Sequence, residues 1–127
     1  MEQLKLKILS ERFACCKLDD LNKLSSHLLN DEIVFLVKTR DELSVICDER
    51  KFINKYNAEL GFKCIKIDMN LKFNQIGIIY NITSILAKQN IPVLVNSTYL
   101  TDYFFIKEKY LINAIKYLKM NDYIFQE

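Results

Sequence analysis

Glycine, proline and histidine are scarce in this sequence: two glycines, one proline and one histidine occur among 127 residues. One scarcity bears directly on chemistry. The loop NLKFNQIG holds a single glycine and no arginine, whereas a phosphate-cradling catalytic loop on a small α+β fold needs both, so acylphosphatase-like catalysis finds no support. The lone histidine, His27, has no Cys, Asp or Glu beside it in ligand spacing and reads as a surface or packing residue. No apolar run approaches the ~20 residues of a bilayer span. At the N-terminus Glu2, Lys5 and Lys7 interrupt any signal-peptide core of about 7–15 apolar residues, which places the expected location in the cytoplasm.

Other patterns are missing too. The four cysteines, Cys15, Cys16, Cys47 and Cys64, sit in apolar strand-like runs without C-x-x-C spacing. They read as small buried hydrophobes that bind no metal. Eighteen basic and sixteen acidic residues leave a net charge of +2, and the lysines never run five together. That balance gives no electrostatic footprint for nucleic acid or for an anionic membrane. Aromatics do lie on the segment DYFFIK, but the K/R-G-F/Y-G/A-F-V-x-F/Y signature of RNA-binding sheets is absent. Core packing explains Tyr103, Phe104 and Phe105 more simply.

What is present is an ordinary globular composition, half hydrophobic and 27% charged. A chain of this length forms one domain or two very small ones and buries roughly two-thirds of its unfolded surface. Leu4, Leu6 and Ile8 alternate with polar residues, the period of a half-buried strand over residues 4–9. A second strand over 13–18 follows a short polar connection and suits a hairpin with the first. Residues 19–31 are polar, with Leu21, Leu24 and Leu28 at helical spacing and Asp20 placed to cap one or two turns. The apolar run at 32–39 predicts a central strand covered on both faces. Arg40 and Asp41 join it to an antiparallel partner over 42–48, and residues 49–57 suit a short helix. Gly61 then punctuates the chain, dividing it into halves at residues 1–60 and 61–127.

The second half carries the clearer pattern. A strand over 62–68 places Phe62 and Cys64 on one parity and Ile65 and Ile67 on the other, which requires either two covered faces or a bulge. Ile78, Ile82, Ile85 and Leu86 form the buried stripe of a helix over 75–90, with Asn74 as its N-cap and Asn90 at its C-terminus. Pro92 precedes a β-branched strand, and DYFFIK pairs back on it. Leu111, Ile115 and Leu118 line a helix over 108–119, and DYIFQE closes as a strand. The result is a βαββαβ unit: a ferredoxin-like α+β fold with a four-stranded antiparallel sheet and both helices on one face. The helix-poor first half is a degenerate partner whose strand edges need cover. Small molecules suit two places in this unit: the loop at 74–78, where Gly77 admits close approach to a helix N-terminus, and the polar turn at 97–102, where Asp102 offers a carboxylate. Helix-to-sheet packing is the competing account of Gly77, and plain turn chemistry that of Asp102.

The segments DELSVIC, FNQIGIIYNITSILAKQNI and NSTYLTDYFFIK, in that order and spacing, resemble small tandem ACT-domain proteins, related to the ACT modules of aspartate kinases and to cytosolic arginine sensors. The resemblance covers roughly residues 39–118. It implies a helix-poor ACT-like first half, an ACT domain in the second, and a regulatory, non-catalytic module without a cofactor. Its ligand would be a free amino acid held at an interface between ACT units, and its assembly a homodimer. The contacts it implies are Ser44 and Val45 in the first half, Gly77 and Ile78 at the helix start, and Thr98, Tyr99, Leu100, Thr101 and Asp102 in the turn. The alternative is an ACT-type dimerisation module that binds no ligand.

Overall fold

The computed structural model describes residues 3–19, 26–51 and 57–126, with only the backbone of Ser26 and His27. In chain order the elements are β1 (Lys5–Ile8), β2 (Phe13–Leu18), α1 (Ser26–Leu29), β3 (Phe35–Lys38), β4 (Leu43–Asp48), β5 (Ala58–Ile67), α2 (Ile78–Lys88), β6 (Leu94–Ser97), β7 (Asp102–Lys107), α3 (Leu111–Met120) and β8 (Ile124–Gln126). Single 3-10 turns at Glu49–Lys51 and Glu108–Tyr110 follow β4 and β7. The expected cap Asp20, with Leu21 and Leu24, lies outside the described residues, as does most of the short helix expected over 49–57. Two compact units emerge, one formed by Met1–Ser10 with Lys63–Glu127, the other by Glu11–Phe62.

The first unit is a ferredoxin-like βαββαβ arrangement with one strand added. Its sheet runs β8, β1, β5, β7, β6. β1 lies antiparallel to β5, with Leu6 opposite Ile67 and Ile8 opposite Ile65, and parallel to β8, with Lys5 opposite Ile124. The closing strand therefore docks on β1 and not directly on β5, so the expected four-stranded sheet has five strands. Period-two alternation announced which face of β1 is buried; it carried no information about which strands flank it. Leu6, Ile65, Ile67, Ile82, Leu86, Phe104, Ile106, Ala114 and Leu118 form the core, all without exposed surface. Each of the larger apolar side chains contributes about 1.5–3 kcal/mol by leaving water.

Both long helices end the same way. Asn90 and Asp122 adopt left-handed backbone at φ 57° and 70°. The Ile91 and Asn90 N–H groups donate to the Leu86 and Ala87 carbonyls at 3.1 and 3.0 Å, and those of Tyr123 and Asp122 to Leu118 and Lys119 at 3.2 and 3.1 Å. These are Schellman caps, which satisfy carbonyls the helix leaves without partners. Asn90 terminates α2 as its sequence position suggested. At the other end Asn74 is not the cap: α2 starts at Ile78 behind Gly77, and no side chain caps it.

In the second unit the strand order is β3, β4, β2 and the first part of β5. β2 and β4 pair without interruption from Phe13–Asp48 to Leu18–Leu43, and β3 pairs with β4 across a turn in which the Thr39 hydroxyl accepts from the Asp41 and Glu42 N–H groups, both at 3.2 Å. The hairpin anticipated between β1 and β2 does not form, since β2 pairs with β4 and β5. Nor is β3 central: it is the edge strand, with Leu36 and Val37 exposed at 43% and 45%. The mixed parity of β5 resolves as cover on both faces, since the neighbours Cys64 and Ile65 are both without exposed surface; a bulge lies just before that stretch. Phe13 faces Phe62 while Cys15 faces Glu59, and Gly61 between them sits at φ 80°, the left-handed conformation that only glycine adopts without strain. The core here is small, Ala14, Cys16, Val45 and Cys47 with Leu28, Val34 and Leu60 packed on them.

Candidate functional site

Two loops of the first unit meet at one end of its sheet. The first runs from β5 to α2. In it the Lys72 N–H donates to Gln75 Oε1 at 2.6 Å and the Gln75 N–H returns to the Lys72 carbonyl at 3.1 Å, folding the polar stretch into a compact turn before Gly77. The second is the turn of the β6–β7 hairpin, whose last pair is Ser97 with Asp102. Thr98 closes it: its N–H donates to the Thr101 carbonyl at 2.8 Å and its hydroxyl accepts from the Thr101 N–H at 3.3 Å. The loops are tied together by the Leu71 N–H to the Leu100 carbonyl, 2.7 Å, and by the buried Thr101 hydroxyl to the Ile67 carbonyl, 2.8 Å.

Between them lies a cavity of about 340 Å³, lined by residues 71–73, 75, 77–80 and 97–102. Its polar side has two components. Gly77 stands at φ 79° ahead of α2, and since no side chain caps that helix, its first-turn N–H groups and the positive end of its dipole are left for a ligand or water. A Cβ built on Gly77 would meet nothing within 4 Å, so the backbone angle, and not close packing against the sheet, is what requires glycine here. Opposite in sign is Asp102, 9% exposed, whose Oδ1 accepts the Ser97 hydroxyl at 2.6 Å. The other side is apolar. Phe73 and Tyr99, 79% and 78% exposed, meet edge to face with ring centroids 5.2 Å apart, and Ile79, Tyr80 and Leu100 continue the surface.

Seven of the nine residues singled out from the sequence line this cavity: Gly77, Ile78, Thr98, Tyr99, Leu100, Thr101 and Asp102. Thr101 does so with its hydroxyl already committed to Ile67. Ser44 and Val45 belong to the other unit. Val45 is part of its core, and the Ser44 hydroxyl donates to Glu42 Oε1 at 2.9 Å beside a separate cavity that also touches Cys15 and Asn57. Phe73 and Tyr80 escaped the sequence reading, whereas Ser97 lies in the turn at 97–102 that it named. The signal for Phe73 was there, an aromatic residue standing alone in the polar loop NLKFNQIG.

Among the described residues no group of three or more His, Cys, Asp or Glu could hold a metal ion, and no helix is long and apolar enough to cross a membrane. All four cysteines are free thiols. Cys16 donates to Cys47; that bond, with burial adding to it, pushes the Cys16 thiol well above its ordinary range, and the same bond, working against burial, pulls that of Cys47 down.

Solved structures of other proteins share the fold. A protein from Agobacterium tumefaciens superposes with a TM-score of 0.88 at 22% identity, over 99% of this chain and 94% of its own. The aspartokinase of alpha and beta subunits gives 0.63 at 12% identity, over 94% and 97%. The aspartate kinase of Clostridium acetobutylicum, described as an allosteric enzyme, gives 0.62 at 12% identity, over 89% of this chain and 33% of the kinase. No curated relative matches the sequence. The sequence model of the ACT domain matches residues 57–120, the stretch that supplies both loops of the cavity, and with half of its length so matched the chain belongs to the ACT domain family of regulatory, ligand-binding modules.

Proposed function

We propose that this chain is a non-catalytic regulatory module of the cytoplasm that binds a free amino acid in the cavity between α2 and the β6–β7 turn, and that it works as a homodimer. One observation carries the reading: an uncapped helix N-terminus and a nearly buried carboxylate, Asp102, face the same 340 Å³ space. An amino-acid zwitterion matches that pair, its carboxylate toward the N–H groups behind Gly77 and its ammonium toward Asp102. The Ser44–Val45 stretch of a second copy is the proposed cover over the open side.

The test is calorimetric titration with the twenty amino acids, beside thermal melts. A sensor working near cellular concentrations binds at micromolar to millimolar levels, about 4–8 kcal/mol, and the ligand raises Tm by mass action. Asp102→Asn keeps the acceptor that Ser97 uses but removes the charge. Affinity then falls by about 1.5–3 kcal/mol, tenfold to a hundredfold, while Tm without ligand stays put. No response from any amino acid at ten-millimolar level would remove this reading. The second reading, a dimerisation module without ligand, is favoured by the exposed Phe73, Ile76, Tyr80 and Tyr99 around the cavity, a patch of the kind that protein partners cover. It predicts a dimer by light scattering that no amino acid stabilises.

A further inference from the structure

We infer that the amino acid this cavity selects carries a large apolar side chain, with phenylalanine and leucine as its test cases; the inference rests on the proposed amino-acid binding and adds the class of ligand. The lining divides by chemistry. Among the described residues its charged members are Lys72 and Asp102, and Asp102 is engaged once it faces the ligand ammonium. A guanidinium or a second ammonium on the ligand therefore finds no other carboxylate among the described lining residues to pair with. An acidic side chain brings a second negative charge into the space that Asp102 borders, with one solvent-exposed lysine as compensation. Serine or alanine would leave the apolar side empty.

That apolar side is built to receive a side chain of some size. Phe73 and Tyr99 stand edge to face at 5.2 Å with their outer surfaces uncovered, and Leu71, Ile79 and Leu100 flank them. Rings set this way present a face and an edge to a third group, the geometry in which aromatic clusters grow. A ligand ring or branched aliphatic placed there leaves water and takes the rings' exposed surface with it. The volume, about 340 Å³, falls at the small end of the range of ligand sites, which suits one amino acid.

The experiment is isothermal titration of the full chain with phenylalanine, leucine, alanine, arginine and aspartate, repeated on Phe73→Ala and Tyr99→Ala. Phenylalanine and leucine should bind at least tenfold more tightly than the other three. Each alanine variant should lose most of that preference and should melt with the parent, since both side chains are largely exposed. Asp102→Asn should weaken all ligands alike. Arginine, aspartate or alanine binding as tightly as phenylalanine, with Asp102→Asn still weakening them, overturns the apolar class and leaves the amino-acid site standing. Absence of binding by all five overturns the apolar class, and the full panel of twenty then decides the site itself. Ring variants that alter the light-scattering mass but not ligand preference also overturn the inference, by assigning the rings to a second copy of the chain.

Discussion

Replacing Gly77 by alanine separates two reasons a helix can begin with glycine. The residue sits at φ 79° with open space where a Cβ would project. Alanine therefore meets no clash with a neighbour and suffers the intrinsic strain of the left-handed conformation, about 1–2 kcal/mol for an ordinary L-residue. For a chain of this size each kcal/mol moves Tm by roughly 4 °C, so the melt should fall by about 4–8 °C. Asparagine is larger than alanine but tolerates left-handed backbone far better, so Gly77→Asn should recover most of the loss. Thermal melts of the three proteins without ligand, followed by circular dichroism, give the answer. If close packing were the reason for glycine, the larger asparagine would be at least as damaging as alanine. Asparagine no better than alanine would thus refute the argument, as would an alanine variant that melts with the parent.

Further expectations follow from the same geometry. Asp122 holds left-handed backbone at φ 70° in the cap of α3, where its carbonyl accepts the Gln3 side chain at 2.6 Å, a bond any residue can keep; Asp122→Gly should stabilise the protein by about 0.5–1 kcal/mol, read as a rise of a few degrees in Tm. The Asp48 carboxylate receives the Arg50 guanidinium at 2.7–3.2 Å and the Arg50 N–H at 3.0 Å, and the first of these chiefly holds it below the usual carboxylate range. A depressed folded-state pKa stabilises above the unfolded value, near 3.9, and that stability is lost as pH falls through the folded one. Tm measured against pH should therefore decline below about pH 4, and decline less steeply in Asp48→Asn. Thiol titration should find Cys15, the half-buried one, reacting first and slowly because burial and then Glu42 raise its pKa, with Cys16, Cys47 and Cys64 reacting only in denaturant.

Much of α2 could be read directly. Ile78, Ile82, Ile85 and Leu86 recur at helical spacing and all reach the core, because that spacing is the signature of one buried helix face. Its start was misread since Asn74 has the chemistry of a cap, while the backbone turns helical only after Gly77. β3 shows a different limit. Its apolar run looks like a strand covered on both faces, yet it lies at an edge; side-chain pattern reports burial potential, and edge or centre is settled by pairing with residues far along the chain. The site was legible where it is local. Gly77 and the turn at 98–102 each announce themselves by backbone chemistry, and the ACT resemblance associated them. Tyr80 acquires meaning only when folding sets it in one lining with Tyr99 and Leu100.

The position of β1 has a consequence for the order of events during synthesis. Of the described strands it is made first, yet its sheet neighbours come late: Ile65, opposite Ile8, follows roughly 60 residues on, and Ile124, opposite Lys5, roughly 120 on, which at about 5–20 residues per second means waits of several seconds for one partner and roughly twice that for the other. During that time Leu6 and Ile8 have neither neighbour available. The three residues of β8 cannot dock until β1 is already in place, so among the described strands the one made latest seals the sheet onto the one made earliest. Such long-range closure slows folding, and it makes shortening at either terminus act on the same step: a chain begun after Ile8 and a chain ended before Ile124 should both stall with β5 exposed or β1 half paired.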